Sequence, residues 1–353
     1  MLTLEQIDKN MANETNIKKD GMIFYKPEDA AMRLYGVTRV GDRYYRMPPE
    51  VAKTVNPGVE SLNCNTVGGR IRFTTDSSRI VLIARRDTGY NPDHMTYILV
   101  AGFDVYDGDT YVTTLRPGSQ RSGDQTFEAS CSFNGARERN ITINFPAYGP
   151  VLDILIGVEE GATVKRAPDH KYEKPFVIYG SSITQGGCAS RPGNVHSAHL
   201  SRWMDSNYVN LGFSGSAKGE ETMARYIATL DMSALIMEYD HNAPSIEHLE
   251  ATHEPFFKII REAQPNLPVI FVTRPEALPN SNRDGRFAII KKTYDNAVAA
   301  GDKNVYFAPM PEALAPIGNE GTVDGCHPND LGFFFMAKGL YPALKAAIES
   351  QEG

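Results

Sequence analysis

The sequence predicts an α/β protein in two parts, an all-β sandwich followed by a three-layer, doubly wound parallel sheet. Short β-branched and aromatic runs separated by turns fill residues 60–160, which is typical of a sandwich. From about residue 175, apolar runs alternate with longer amphipathic segments, which indicates a parallel sheet between helices. A chain of 353 residues is long for one core, so two domains are expected.

The β-rich part is predicted to form an N-terminal β-sandwich, jelly-roll-like domain over residues 1–165. Its strands are predicted at 70–75, 80–85, 96–100, 111–115, 126–133, 141–145 and 152–158. Turn signals such as Asp107-Gly108-Asp109 and Asn134-Gly135 separate them. Aromatic residues of these strands are expected to fill the sandwich core. We therefore expect this domain to have a structural and substrate-shaping role, while binding of glycan stays open.

The second part, residues 175–353, is predicted to be an α/β domain. Its strands are predicted at 176–179, 208–211, 234–238, 268–273 and 305–308, and its helices near 219–230, 246–264, 284–300 and 330–349. The segment 165–175 between the two parts is charged and bracketed by prolines, as linkers often are.

Composition excludes several classes of function. The formal charge of −7 argues against a nucleic-acid partner, which normally requires a basic surface. No uninterrupted run approaches the ~20 apolar residues of a membrane helix, and the N-terminus has no signal-peptide core. We therefore expect a cytoplasmic protein, or a secreted one if a leader has been removed. The four cysteines form no CxxC pair, so reduced thiols are expected rather than a structural zinc site.

Two short motifs carry the candidate chemistry. The first, Gly180-Ser181-Ser182, follows a strand-like run and so places a hydroxyl at the carboxyl edge of the sheet, where open α/β folds bind ligands. The second places Asp324 and His327 just before the last helix. A serine, a histidine and an aspartate together can make a hydroxyl nucleophilic. Each motif alone is also compatible with a helix cap or a turn, and it is their combination that predicts a catalytic triad.

Two further loops at strand exits supply candidate oxyanion donors. In the first loop, residues 210–216, glycines such as Gly215 let a backbone N–H approach a substrate closely. In the second loop, residues 239–244, the Asn242 side chain can donate a hydrogen bond. His241 and Arg274 are candidate substrate-binding residues, although a salt bridge to a surface carboxylate is the simpler role for Arg274. His196 and His199 lack a glutamate at zincin spacing, so neither a metal nor a cofactor is expected.

In this order, the motifs resemble the four blocks of the SGNH hydrolases, also called the GDSL-type esterase/lipase family. The usual Gly-Asp-Ser-Leu appears as residues 180–183, with Ser181 in place of the aspartate, and Gly215 falls on the oxyanion glycine of the second block. The third block, usually Gly-x-Asn-Asp, appears as residues 240–243 and keeps its asparagine. The final Asp-x-x-His is matched by Asp324 and His327. The resemblance covers roughly residues 175–350.

This resemblance implies a flavodoxin-like SGNH fold and a serine esterase of the two-domain bacterial branch. Ser182 would attack the ester, His327 would transfer its proton and Asp324 would orient the imidazole. The oxyanion hole would comprise the Ser182 and Gly215 amides and the Asn242 side chain. The implied substrate is a small-molecule or oligosaccharide ester with a short acyl group, expected to be acetyl on a carbohydrate. An acyltransferase with the same triad and a decayed carbohydrate-binding protein stay as alternatives. No membrane partner is expected, and the oligomeric state is open.

Overall fold

The computed structural model describes residues 20–87, 92–117 and 126–351, and these residues form two compact units. The sandwich unit contains the described residues up to Arg46, together with Cys64–Asp169 and Ser190–Gly193. The α/β unit contains Met47–Asn63, His170–Ala189 and the described residues from Asn194 onward. The predicted beginning of the N-terminal domain, residues 1–19, lies outside the described residues.

The sandwich unit is built from two antiparallel sheets. Its strands are β1 (Met22–Tyr25), β2 (Arg33–Tyr35), β3 (Thr38–Val40), β4 (Arg43–Tyr45), β5 (Arg70–Thr75), β6 (Arg79–Arg86), β7 (Phe103–Asp107), β8 (Thr110–Leu115), β9 (Thr126–Ser132), β10 (Arg139–Asn144), β11 (Val151–Glu159) and β12 (Val164–Arg166). One sheet has the order β1-β11-β6-β9, and the other has the order β12-β5-β10-β7-β8 with β2 also paired to β5. Strands β3 and β4 form a separate hairpin.

Alternating residues of the two sheets share one core. On β6, Ile80 and Leu82 belong to this core, as do Phe73 on β5 and Ile143 on β10. All four are completely buried. Since side chains alternate between the two faces of a strand, this period-two pattern explains why the β-rich texture of the sequence predicted a sandwich.

One predicted strand is wrong. Two short helices, α1 (Pro49–Val55) and α2 (Pro57–Leu62), come early in the chain. Residues 96–100 were expected to be extended, but Tyr97–Ala101 forms a third helix, α3. The Thr96 hydroxyl caps α3 by accepting the Leu99 N–H at 3.0 Å. The periodicity of such a short apolar run does not distinguish a strand from a helix. Here the N-cap hydrogen bond stabilises the helix. The strand of this region is β7, which the sequence analysis did not identify.

The α/β unit contains a five-stranded sheet with the order β14-β13-β15-β16-β17, all parallel. Its strands are β13 (Tyr172–Gly180), β14 (Ser206–Gly212), β15 (Ala234–Glu238), β16 (Val269–Val272) and β17 (Val305–Ala308). This 2-1-3-4-5 order is that of flavodoxin-like folds, in which the ligand crevice lies at the carboxyl ends of the strands. The predicted fold class is confirmed.

Helices cover both faces of this sheet. They are α4 (His196–Met204), α5 (Glu221–Ile227), α6 (Ile246–Ala263), α7 (Ser281–Ala299), α8 (Met310–Leu314) and α9 (Asp330–Glu349). Residues of α5, α6 and α7 share a core with one set of alternating strand residues, including Leu235 and Met237. Helices α4 and α9 contact each other and the strands without joining that core, so they form the third layer.

Helix α9 bears on the expectation that the sequence contains no membrane-spanning helix. Of the helices in the described part of the chain, it is the one long and apolar enough to cross a membrane by length and composition. In this fold it packs on α4, α8 and the sheet, and Phe333, Leu340 and Leu344 on its core-facing side are completely buried. Trp203 on α4 is 38% exposed.

The α/β unit also includes a segment from early in the sequence, Met47–Asn63, which contains α1 and α2. Ala52 and Val59 from these helices are completely buried in the core that contains α5, α6 and α7. The sequence analysis had assigned all residues before 165 to the sandwich. The α/β unit is therefore discontinuous in sequence.

Candidate functional site

Ser182, His327 and Asp324 lie in one hydrogen-bonded chain at the carboxyl edge of the parallel sheet. The Ser182 Oγ lies 2.9 Å from His327 Nε2, and His327 Nδ1 lies 2.7 Å from Asp324 Oδ2. Ser182 follows β13 by two residues, and the other two side chains come from the turn before α9. The structure thus brings together the three residues that the sequence motifs singled out. A neutral imidazole in this chain can accept the serine proton.

The turn that carries Ser182 is fixed by its own backbone. The Ser181 carbonyl accepts the Gln185 N–H at 3.0 Å and the Ser182 carbonyl accepts the Gly187 N–H at 2.8 Å. The Ser181 hydroxyl is completely buried and accepts the Ile183 N–H at 3.2 Å. Ser182 itself is only half-buried. The two adjacent serines therefore differ, since one closes the turn and the other faces the site.

The Asp324–His327 turn is likewise tied at both ends. The Asp324 Oδ1 accepts the His327 N–H at 2.7 Å and the Cys326 N–H at 3.0 Å, and Val323 N–H donates to the His327 carbonyl at 2.9 Å. Desolvation raises the pKa of Asp324, but the bonds from the His327 ring and from the two backbone N–H groups outweigh it and lower the pKa to about 2. Asp324 is therefore ionised at neutral pH.

The Gly215 loop, residues 213–220, follows β14 beside this chain of side chains. Gly215 has φ of +66°, a left-handed conformation that favours glycine, and it is exposed. Within the described residues, its N–H donates to no other group. Asn242 Nδ2 donates to the Phe213 carbonyl at 2.9 Å, and since an amide has two N–H bonds, one more can be donated. The Ser214 N–H is held by Gln185 Oε1 at 2.9 Å.

His241 and Arg274 contact each other at the next strand exits. Arg274 Nη2 lies 3.2 Å from His241 Nδ1, and its Nε lies 2.9 Å from Glu276 Oε2. Burial, followed by the positive charge of Arg274, holds the pKa of His241 well below its usual value. The ring is therefore neutral. With Nδ1 facing the guanidinium, the proton is assigned to Nε2, which is buried and has no hydrogen-bond partner among the described residues.

A buried network under the Ser182 turn was not identified from the sequence. Glu238 Oε2 accepts from the Thr184 hydroxyl at 2.9 Å and lies 3.0 Å from His196 Nε2, and all three residues are buried. His196 is therefore occupied by a carboxylate, while His199 Nδ1 faces Arg202. Across residues 20–87, 92–117 and 126–351, no group of three histidine, cysteine, aspartate or glutamate residues is placed to hold a metal.

Comparisons with known families identify both parts of the chain. Residues 173–345 match the GDSL-like lipase/acylhydrolase family. Residues 9–164 match the family described as the N-terminus of SGNH-hydrolase-type esterases. The two matches cover the parts that the sequence analysis assigned to the β-rich and catalytic domains. A comparison with curated proteins found no significant match.

Solved structures with the same fold include several enzymes that act on acyl groups. A protein from Bacteroides ovatus described as a GDSL-like lipase is 29% identical, with a TM-score of 0.83, and the match covers 93% of this chain and 98% of that one. The salicylyl-acyltransferase SsfX3 of a tetracycline biosynthetic pathway is 20% identical, with a TM-score of 0.76 over 93% and 98% of the chains. A family two carbohydrate esterase from Clostridium thermocellum, in complex with cellohexaose, is 12% identical, with a TM-score of 0.58 over 80% and 93%.

The four sequence blocks lie together in the structure. The side chains of Ser182, Asn242 and His327 and the Gly215 loop come from the same edge of a flavodoxin-like sheet. Residues 173–345 of the chain belong to the GDSL-like lipase/acylhydrolase family and residues 9–164 to the family described as the N-terminus of SGNH-hydrolase-type esterases, and the protein is an ester-hydrolysing enzyme.

Proposed function

We propose that the protein is a serine esterase in which Ser182 is the nucleophile, His327 the general base and acid, and Asp324 the residue that orients the imidazole. The observation that carries this proposal is the continuous hydrogen-bonded chain from Ser182 Oγ through both ring nitrogens of His327 to Asp324 Oδ2, with distances of 2.9 and 2.7 Å. The ionised Asp324 stabilises the imidazolium that forms during the reaction.

The reaction follows from this arrangement. Ser182 Oγ attacks the ester carbonyl carbon as its proton passes to His327 Nε2. The tetrahedral intermediate then expels the alcohol, which takes the proton from the imidazolium, and leaves an acyl group on Ser182. Water attacks this acyl-enzyme with His327 again as base, and release of the acid restores the serine hydroxyl.

The negative oxygen of each intermediate requires donors. We assign this role to the backbone N–H of Ser182, the N–H of Gly215 and the side-chain amide of Asn242. The exposed position of Gly215 and the lack of an acceptor for its N–H within the described residues support this assignment. One such donor typically contributes about 100- to 1,000-fold to the rate.

We assign the substrate to short acyl esters of carbohydrates, with acetyl as the acyl group. Support comes from the carbohydrate esterases with the same fold, one of them in complex with cellohexaose. His241 is neutral and lies at a strand exit beside Arg274, and we assign it to substrate binding. Arg274, which is paired with Glu276, would orient the His241 ring through its contact with Nδ1.

An acyltransferase using the same residues is the second candidate, favoured by the salicylyl-acyltransferase of the same fold. The two reactions differ in whether water or an alcohol attacks the acyl-enzyme. Incubating a p-nitrophenyl acyl ester with the enzyme and a series of sugar alcohols distinguishes them. Acid release unaffected by the alcohols indicates an esterase, and accumulation of the new ester indicates a transferase.

The assignment of Ser182 is tested with a fluorophosphonate probe followed by peptide mapping. We expect labelling at Ser182, and no labelling in the Ser182→Ala variant. Ser181→Ala is the matched control, since it removes the neighbouring hydroxyl that is buried within the turn, and it should still be labelled at Ser182. Absence of labelling in active wild-type enzyme would contradict the proposal. Acetyl esters of xylo- and cello-oligosaccharides should then be hydrolysed faster than esters of the same sugars with longer acyl chains.

A further inference from the structure

We propose that Asn56, a residue of the early segment Met47–Asn63, is a positioning residue that holds the Gly215 loop in the geometry required for oxyanion binding. This inference rests on the proposed esterase function, and specifically on the Gly215 N–H as a donor. It assigns a part of the catalytic machinery to a segment that precedes the strands β5 to β12 in sequence.

The amide of Asn56 reaches two groups of the loop. Its Nδ2 donates to the Ser216 carbonyl at 2.9 Å and to Glu220 Oε1 at 2.6 Å. Its Oδ1 accepts the Val59 N–H at 2.9 Å and thereby caps α2. Both N–H bonds and the carbonyl oxygen of the side chain are thus engaged, so the same residue starts a helix and fastens the loop to it.

Glu220 connects this contact to the strand that leads to Ser182. Its second oxygen, Oε2, accepts from the Tyr179 hydroxyl at 3.2 Å and from the Lys218 N–H at 3.1 Å. The Tyr179 hydroxyl in turn accepts the Gly219 N–H at 3.1 Å. Since Tyr179 lies on β13, the far end of the Gly215 loop is joined to the strand that positions Ser182.

The loop also packs directly on α2. A Cβ at Gly58 would lie 2.1 Å from the Ser216 Oγ and 2.8 Å from its Cβ, so this position requires a glycine for the approach to occur. The helix pair itself is anchored, because Ala52 and Val59 are completely buried in the core. Asn63 closes the segment by exchanging bonds with the Met47 backbone at 3.0 and 2.8 Å. Asn56 therefore extends from a rigid base.

Gly215 depends on its neighbours for its orientation. It is exposed, and within the described residues its N–H has no acceptor. Gln185 fixes Ser214 on one side and Asn56 fixes Ser216 on the other. Oxyanion donors act when they lie about 2.7–3.1 Å from the oxygen, and a displacement of about 1 Å can cost about 100-fold. The Ser216 N–H also donates to the Phe213 carbonyl at 2.9 Å, so loss of the Asn56 contact removes one of several supports of the loop.

The test separates the helix cap from the contact with the loop. Asn56→Ser keeps a good cap for α2 but removes both amide donors. We expect kcat on p-nitrophenyl acetate to fall about 10- to 100-fold, with KM within about two-fold of wild type and little change in Tm. The rate of fluorophosphonate labelling at Ser182 should fall in parallel, since the phosphonyl oxygen occupies the same hole.

Two further variants make the experiment decisive. Asn296→Ser is the matched control, because Asn296 also donates its amide to a glutamate, Glu254, at 2.8 Å, but on the outer helices of the same unit. It should keep wild-type kcat. Asn56→Asp places a carboxylate against Glu220 and should be at least as impaired as Asn56→Ser. In the double variant Asn56→Asp, Glu220→Gln, the glutamine amide can donate to the aspartate, so a hydrogen bond between positions 56 and 220 is restored. We expect its kcat to be about three-fold or more above that of Asn56→Asp alone.

Wild-type kcat and labelling rate in Asn56→Ser would overturn the inference, whatever its Tm. A loss of activity that matches the unfolded fraction at the assay temperature would also overturn it, since it would show a purely structural role. Both results leave the esterase proposal intact as long as wild-type enzyme is labelled at Ser182. If wild-type enzyme is active but not labelled there, the assignment of Ser182 fails, and this inference fails with it.

Discussion

The Asp324 carboxylate holds His327 at two points, because Oδ2 lies 2.7 Å from the ring Nδ1 and Oδ1 accepts the backbone N–H at 2.7 Å. Ring and backbone are therefore fixed by one side chain three residues earlier. This explains why the spacing Asp-x-x-His is short, since a carboxylate in a single turn reaches both groups. It also gives Asp324 two separable roles, in orienting the ring and in shaping the turn.

Ser182 and His327 are expected to act as a unit. Ser182→Ala should abolish esterase activity with the fold intact, and His327→Ala should cost nearly as much, about 10⁶-fold in kcat, because neither group can activate the reaction alone. The double variant should lose little more than either single one. Asp324→Asn should be milder, at about 10⁴-fold. The measurement is kcat by initial rates for all four variants, with circular dichroism as the control, and full activity in Ser182→Ala would end this interpretation.

Protonation of Asp324 should contribute nothing to the pH profile. A pKa of about 2 keeps Asp324 ionised over the working range, so no part of any decrease in kcat/KM between pH 8 and pH 4 should come from this carboxylate. The measurement is kcat/KM against pH for the wild type and for Asp324→Asn. An acid ionisation that is present in the wild-type profile and absent from that of Asp324→Asn would contradict the prediction.

Asp240 should make stability depend on pH in a defined direction. Burial raises its pKa to about 6, against the opposing charges of Arg274 and Arg286. The folded state thus binds this proton more tightly than the unfolded chain, so the contribution of Asp240 to stability decreases as pH rises from about 4 to about 6. Asp240→Asn should flatten this part of the Tm–pH curve and should differ most from wild type above pH 6. Equal Tm differences at pH 4 and pH 7.5 would refute the prediction.

Removal of metal ions should leave activity unchanged. The proposed chemistry uses a serine, a histidine and an aspartate, and His196 is bonded to Glu238 within the core. Dialysis against EDTA should therefore leave kcat/KM as it was. If activity fell and zinc restored it, His196 and His199 would have to be reconsidered as ligands.

Deleting residues 1–165 should leave a poorly soluble or weakly active fragment. The deletion removes Met47–Asn63 from the α/β unit, so the core that Ala52 and Val59 help to fill would be exposed. Fusing residues 47–63 to the fragment through a flexible linker should improve its soluble yield and its thermal transition. A fragment that is soluble and fully active on both small esters and acylated sugars, without that addition, would show the prediction to be wrong.

Much of the α/β unit was predictable because its strands are buried on both faces. The strands at 234–238 and 305–308 have the expected bounds, since continuous apolar runs between helices leave little ambiguity. The approach of Ser182 to His327 also follows from the chain, because the carboxyl ends of parallel strands meet at one edge. The loops that contain the candidate oxyanion donors Gly215 and Asn242 also follow strands of this sheet, and the resemblance to a known family supported the choice of these two residues.

Other features depend on contacts that no local pattern records. Glu238 ends a strand and His196 lies on α4, and their hydrogen bond exists because two separate elements pack behind Ser182. Asn56 reads locally as a helix cap, which it is, and nothing near it in sequence points to Ser216.

The discontinuous α/β unit has a consequence for synthesis of the chain. Met47–Asn63 leaves the ribosome before most sandwich strands, yet the loop that Asn56 contacts, residues 213–220, follows β14, which begins at Ser206. The sandwich unit can fold while the apolar residues of the helix pair still lack their partners. Domains usually fold in order from the N-terminus, but here an early segment must wait for late ones, and such long-range closure is slow. The nascent chain thus carries the apolar residues of α1 and α2 without their core partners while the residues of β5 to β12 are synthesised.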